Sequence, residues 1–189
     1  MGLMRRKDAG MKKAVILGSA EGLNPNSTHQ GARSQVVPPL SIWAVGSYLR
    51  EHGVPVELID IEVDFGLGLT REARQVVGRR VASYLAAQAE DIAWVGISIH
   101  SNVSLGISED TSPIEPIHAA LPNTPMIFGG YLASIEYHLL LQKYPFVTAV
   151  VCGDGEAAAL DISHRLGLTL QLDGGATMTF RGEQVTLEQ

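Results

Sequence analysis

Apolar residues fall in short unbroken runs along this chain rather than in strict alternation. Ala14-Val15-Ile16-Leu17-Gly18, Pro55 to Ile59, Ile92-Ala93-Trp94-Val95-Gly96-Ile97-Ser98-Ile99, Pro125-Met126-Ile127-Phe128-Gly129 and Val147 to Val151 are each of strand length and bounded by Gly, Pro or charge. Continuous apolar runs of this kind belong to strands covered on both faces, as in a parallel sheet. Helical periodicity fills the intervals. Pro38-Pro39 opens a segment with Ile42, Val45 and Leu49 on one face and Gly53 as its stop. Thr70 caps a long segment through about Gln88 that sets Val77, Val81, Tyr84 and Leu85 against a solvated face bearing Arg71, Arg74, Arg79 and Arg80. A short helix is expected near 112–120, a longer one from about Leu132 that buries Leu132, Ile135 and Leu139, and a last one through about Arg165. Five strands alternating with five helices predict an α/β doubly wound five-stranded parallel sheet, Rossmann/flavodoxin-like, for which we take the strand order 2-1-3-4-5.

The pattern lapses in three places. Residues 19–37 and 100–111 lack periodicity, and connections of that length inside a compact domain are usually functional. Beyond Gly167 the chain changes to short β-like pieces at 169–172, 177–180 and 184–187, separated by Asp173-Gly174-Gly175 and Arg181-Gly182-Glu183. The expected organisation is a disordered head at 1–11, the α/β domain at 12–166 and a β-hairpin appendage or linker at 167–189.

Composition narrows the class. A length of 189 residues with 46% hydrophobic content suits one α/β domain. The net charge of −6, with no basic run beyond the head, speaks against nucleic acid as a partner. No apolar run approaches the roughly 20 residues of a membrane span and no signal-peptide core is present, so a cytoplasmic protein without membrane partners is expected. Cys152 is the single cysteine, which excludes an internal disulfide and an iron–sulfur cluster held by three cysteines of this chain.

In the predicted topology the carboxyl ends of the strands form one rim, the usual ligand edge of an open α/β sheet. Ser19 and its loop, Ser98 to Asn102, Gly129-Gly130 and Gly153 to Glu156 gather there. Small residues and hydroxyls dominate, with no paired carboxylates, no nucleophile beside a base and no metal-ligand cluster. Such a rim suits a large ready-made cofactor better than side-chain catalysis. A phosphoacceptor domain would carry an aspartate where Ser98-Ile99-His100 stands. A flavodoxin would need a phosphate loop where Gly18-Ser19-Ala20-Glu21-Gly22-Leu23 places an acid, and Gly-x-Gly-x-x-Gly is absent.

Six pieces in order carry a resemblance: Pro38-Pro39-Leu40 running into Tyr48-Leu49-Arg50-Glu51-His52-Gly53, then Val56-Glu57-Leu58-Ile59-Asp60, Val95-Gly96-Ile97-Ser98, Phe128-Gly129-Gly130, Tyr144-Pro145-Phe146-Val147 and Val151-Cys152-Gly153-Asp154-Gly155-Glu156. Together they resemble the cobalamin (vitamin B12)-binding domain at the front of cobalamin-dependent radical S-adenosylmethionine enzymes, over residues 12–165. Phe180-Arg181-Gly182-Glu183-Gln184-Val185 is similar to the β-segment that joins this domain to the radical barrel, and the sequence stops where that barrel would begin.

The resemblance implies cobalamin, as methylcobalamin or hydroxocobalamin, with its corrin on the strand-end rim and its nucleotide tail beside the sheet. It implies cofactor contacts from Ser98, His100, Ser101, Gly129, Gly130, Tyr131, Gly153, Asp154 and Gly155, and no protein metal ligand. Classical carriers place Asp-x-His-x-x-Gly after the first strand. Ser27-Thr28-His29-Gln30-Gly31 lacks that aspartate and that spacing, as the radical enzymes usually do, so a base-off cobalamin without a protein imidazole is expected. The implied role is the cofactor domain of a radical S-adenosylmethionine methyltransferase, excised or stand-alone, not catalytic by itself and served by a radical barrel in cis or in trans. The alternatives are a cofactor-free α/β interaction module and a flavodoxin-like flavin carrier.

The remaining candidates have plainer readings. His29 reads as a surface residue, His100 as rim polarity that can touch a ligand, and His52, His118, His138 and His164 as exposed. Cys152 reads as a small buried residue, and Trp43 and Trp94 as core. Asp154 and Glu156 either cap and charge the last helix or touch the cofactor.

Overall fold

The computed structural model describes residues 12–18, 39–66, 70–100, 112–168, 177–180 and 183–186. The strands are β1 (Lys13–Gly18), β2 (Val56–Asp60), β3 (Ile92–Ser98), β4 (Met126–Gly129), β5 (Ala149–Cys152), β6 (Thr177–Phe180) and β7 (Glu183–Thr186). The helices are α1 (Leu40–Glu51), α2 (Ile61–Phe65), α3 (Arg71–Ala86), α4 (Ile114–Ala120), α5 (Tyr131–Lys143) and α6 (Glu156–Arg165). The expected disordered head, the 19–37 loop with His29, the β-like piece at 169–172 and the loop containing Ser101 lie outside the described residues.

The first five strands form the expected parallel sheet in the order β2-β1-β3-β4-β5. The apolar runs of β1, β3, β4 and β5 are buried because helices cover both faces. Val95, Ile97 and Phe128 join a core with α3, α4 and α5. Ala14, Ile16, Trp94, Ile127 and Val151 join a second core with α1 and α6. The C-terminal β pieces at 177–180 and 183–186 form a hairpin. They extend the same sheet, β6 pairing antiparallel with β5 and β7 with β6, so that it has seven strands among the described residues.

Local chemistry explains most element ends. Thr70 Oγ1 accepts from Ala73 N at 3.1 Å and caps α3, and Gly53 follows α1 at φ 74. The short α2 went unpredicted. Asp60 closes β2 and also caps α2, accepting from Glu62 N and Val63 N at 3.2 Å each. The expected face of α5 is corrected: Ile135 and Leu139 are exposed at 54% and 49%, while Ala133 and Leu140 are buried. Glu136 has non-helical φ/ψ (−111, 26), and this kink resets which side of the helix meets the sheet. Trp43 is likewise not core. Because α1 buries Ile42, Gly46 and Leu49, Trp43 turns outward and is 51% exposed. His118 and His164 are half-buried rather than exposed, His118 stacking on Phe146 with ring centroids 3.9 Å apart. Among the described residues, no helix is long and apolar enough to cross a membrane.

Candidate functional site

Strand register puts the ligand edge in one row. Gly18 pairs with Ser98 and Ser98 with Gly129, so β1, β3 and β4 end level. Side chains alternate along a strand. Trp94, Gly96 and Ser98 of β3 and Ile127 and Gly129 of β4 therefore all face the α1/α6 side. Between those two helices runs an open groove with room of about 220 Å³. Its floor is Gly96, Ser98, Ile127 and Gly129, with Trp94 at depth. Ser41, Ala44 and Val45 of α1 form one wall, and Glu156, Ala159 and Ile162 of α6 the other.

The two central glycines do different work. Gly130 sits at φ 94 and ψ −179, a region that only glycine occupies without strain. A β-carbon there would lie 2.9 Å from Ile99 O and 3.0 Å from Ser98 Oγ. That close approach lets Ile99 O accept from Leu132 N at 3.0 Å and fixes the start of α5. Among the described residues, a β-carbon at Gly129 would meet only Val151 Cβ, at 3.9 Å, so there its absence relieves no crowding and leaves groove space open. Gly153, at φ 89, carries the turn out of β5 with open space around its α-carbon. Gly155 lets the start of α6 approach α1, since a β-carbon there would lie 3.2 Å from Val45 Cγ2.

Polar groups cluster at the mouth. Ser98 Oγ and Ser41 Oγ lie 3.1 Å apart, joining β3 to α1. Ser134 Oγ donates to Gly130 O at 3.0 Å and accepts from Gly153 N at 2.9 Å, tying the two glycine turns together. The first residue of α6 follows Gly155, which caps without a side-chain hydrogen bond, and Asp154 is exposed and caps nothing. The first-turn N–H groups of α6 therefore carry the positive end of its dipole to the groove, beside the Glu156 carboxylate.

Of the residues expected at the site, Ser98, Gly129, Gly130, Gly153, Asp154 and Gly155 line this one groove. His100 and Tyr131 are exposed at the rim with ring centroids 5.9 Å apart and do not line it, and Ser101 lies outside the described residues. Cys152 points to the opposite, α5 side of the sheet. Sequence reasoning placed Glu156 at the rim but missed Ser41, Val45, Gly96, Ser134 and, in the α6 wall, Ala159 and Ile162. An isolated glycine inside an apolar strand, Gly96, was the available signal of a close approach. Trp94 is core, 2% exposed, and also closes the groove's deep end.

Comparison with known proteins fits this geometry. The B12 binding domain family matches residues 31–163, well over half of the chain, and the chain belongs to that family. It is 25% identical over 173 residues to the anaerobic magnesium-protoporphyrin IX monomethyl ester cyclase of Synechocystis sp., a match covering 88% of this chain and 31% of the cyclase. The cobalamin-dependent S-adenosylmethionine radical enzyme OxsB, with aqua-cobalamin and S-adenosylmethionine bound, has the same fold. Its TM-score is 0.62 at 19% identity, over 94% of this chain and 22% of OxsB. OxsB with aqua-cobalamin alone gives the same TM-score at 17% identity. The chain thus spans about a third or less of the length of these relatives.

Proposed function

We propose that this chain holds a cobalamin, base-off, with the corrin over the strand-end rim and the nucleotide tail in the groove between α1 and α6. Residues 12–166 form the cofactor unit in this reading, and 167–189 the joint to a radical S-adenosylmethionine barrel supplied in cis or in trans. The setting is cytoplasmic and the reaction served is methyl transfer. The carrying observation is the groove floor. Among the described residues, Gly129 leaves space that no other group fills, directly beside Ser98 and open to the rim.

Bound cobalamin supplies a cobalt centre able to carry a methyl group to a substrate. The chain's own residues bind and orient. Ser98 and Ser41 offer hydroxyls to the tail. The first-turn amides of α6 face its phosphate, and the Gly153 to Gly155 turn brings backbone close to the corrin amides. His100, Ser101 and Tyr131 complete the rim in this reading. The apolar walls keep water from the tail, which favours the base-off form. Base-off binding without a protein imidazole rests on the sequence, which has no Asp-x-His-x-x-Gly.

The purified 189-residue chain, incubated with hydroxocobalamin and passed through gel filtration, is expected to retain the corrinoid spectrum. A colourless protein fraction overturns the proposal. A flavin spectrum in the protein as isolated would favour a flavin carrier instead.

A further inference from the structure

The bend in α5 separates two helical pieces at Glu136, whose φ of −111 and ψ of 26 are non-helical. Sharp bends arise at Pro, at Gly/Ser pairs, at π-bulges, or where a side chain intrudes on the backbone ladder. α5 holds neither Pro nor Gly, and Ser134 is its one serine. Two residues before the bend, Ser134 bonds twice to the same carbonyl, its N–H and its hydroxyl each donating to Gly130 O at 3.0 Å. Back-bonding of this kind bends helices. A helical serine is free to turn its hydroxyl elsewhere, but here Gly153 N donates to that oxygen at 2.9 Å and holds it in place. The two pieces of α5 are anchored differently. The first hangs on the strand ends, with Leu132 N donating to Ile99 O at 3.0 Å and Ser134 reaching both glycine turns. The second packs into the core through Leu140, with Tyr144 buried just beyond it.

We infer that Ser134 is the clasp of a hinge at Glu136: the Gly153 N–H holds its hydroxyl in the back-bonding position, the back-bond sets the bend, and the state of the Gly153 turn is carried through the bend to the outer face of α5. That face lies across the sheet from the groove. It exposes Tyr131 and Ile135 on the first piece and Leu139 on the second, so a change of bend moves these side chains relative to one another. The Gly153 turn is suited to act as the input. It sits at φ 89, and among the described residues nothing lies within 4 Å of a β-carbon built there, so the Ser134 hydroxyl is what steadies it. A ligand that fixes this turn favours the bent form over the straight one, and loss of the clasp favours the straight one. Only the identity of that ligand rests on the cobalamin reading above; the clasp and the bend stand without it.

The experiment uses the full 189-residue chain, isotopically labelled for nuclear magnetic resonance, with two readouts: the Cα shift of Glu136, which reports its backbone angles, and the methyl resonances of Ile135 and Leu139. In the ligand-free chain the Glu136 Cα shift is expected outside the helical range. Ser134→Ala should move it into that range, whereas Ser134→Thr, whose hydroxyl can still bond the carbonyl four residues back, should leave it in place. Hydroxocobalamin at saturation should shift the Leu139 methyls in the unsubstituted chain and in Ser134→Thr, and leave them unmoved in Ser134→Ala. A Ser134→Ala chain that keeps the non-helical Glu136 shift overturns the clasp, with or without a ligand. Hydroxocobalamin that binds yet leaves Leu139 unmoved in the unsubstituted chain overturns the coupling and spares the cobalamin reading. A chain that does not bind hydroxocobalamin overturns the cobalamin reading, and the ligand-free Glu136 comparison then decides the hinge by itself.

Discussion

The hydroxyl of Ser134 accepts a hydrogen bond from the N–H of Gly153 at 2.9 Å, linking the first turn of α5 to the turn that leaves β5. The same oxygen donates to Gly130 O at 3.0 Å, so one side chain holds both glycine turns of the groove rim in register. Glycine turns are otherwise the least constrained parts of a backbone.

Replacing Ser134 with Ala should therefore act on binding more than on folding. The change removes both hydrogen bonds of that hydroxyl, each with a net contribution of about 1 kcal/mol, visible as a shift in a denaturant midpoint. The Gly153 turn loses its tether, and retention of hydroxocobalamin is expected to fall several-fold. An unchanged corrinoid affinity would show that the Gly153 turn does not contact the cofactor.

Gly129 and Gly130 should separate cleanly, although they are neighbours. Gly129→Val adds a β-branched residue to a strand where the protein itself leaves room, so stability should change by less than about 1 kcal/mol, while the groove loses its open floor and corrinoid binding drops at least tenfold. Gly130→Ala forces a β-carbon to within 2.9 Å of Ile99 O at φ 94, and is expected to cost about 1–3 kcal/mol of stability. Paired urea melts and binding isotherms check both. A Gly129→Val chain that binds normally removes the groove from the cofactor path.

At the opposite end of the sheet, Tyr84 donates to Glu57 at 2.5 Å, and Glu57 pairs with Lys13 at 2.6 Å. That hydrogen bond, chiefly, holds the Tyr84 phenol above its ordinary pKa. The neutral phenol is the form the fold favours, so this contribution is complete below about pH 10 and fades as pH rises through the raised value. Tyr84 is 43% exposed, which keeps the effect near 0.5 kcal/mol after solvent screening. Tyr84→Phe should lower stability by that amount at neutral pH, converge with the unsubstituted chain in strongly alkaline buffer, and leave hydroxocobalamin affinity unaltered. A binding change in this variant would mean that the two ends of the sheet are coupled.

The sheet was legible because burial on both faces writes itself as unbroken apolar runs, and Ile92 to Ile99 is the clearest. The rim was legible for the same reason: once the strands are placed, Ser98, Gly129 and Gly153 follow at their carboxyl ends. The walls of the groove were not. Ser41 and Val45 belong to a helix whose periodicity shows which face is buried, without showing that a neighbouring face lines a cavity. The α5 face was misread because Glu136 breaks the helical phase, and no local residue type announces that kink. Gly129 and Gly130 look alike as letters, and only the positions of Ile99 and Val151 reveal that one serves the fold and the other leaves room.

The lower face of the cobalt gives the sharpest test of the base-off reading. His100 lies against Tyr131 at the rim, outside the groove, and the stretch around His29 lacks the aspartate that would fix a ligating imidazole. Cobalamin bound to this chain and reduced to Co(II) should then show an electron paramagnetic resonance spectrum whose cobalt lines are not split into triplets, because no ¹⁴N nucleus of a base or imidazole lies on the axis. His29→Ala and His100→Ala should leave that spectrum unchanged. Triplet splitting that disappears in one of these variants would identify that histidine as the ligand. Splitting that survives in both would mean that the cofactor's own base stays on cobalt, and the groove between α1 and α6 would then have to hold something other than the tail.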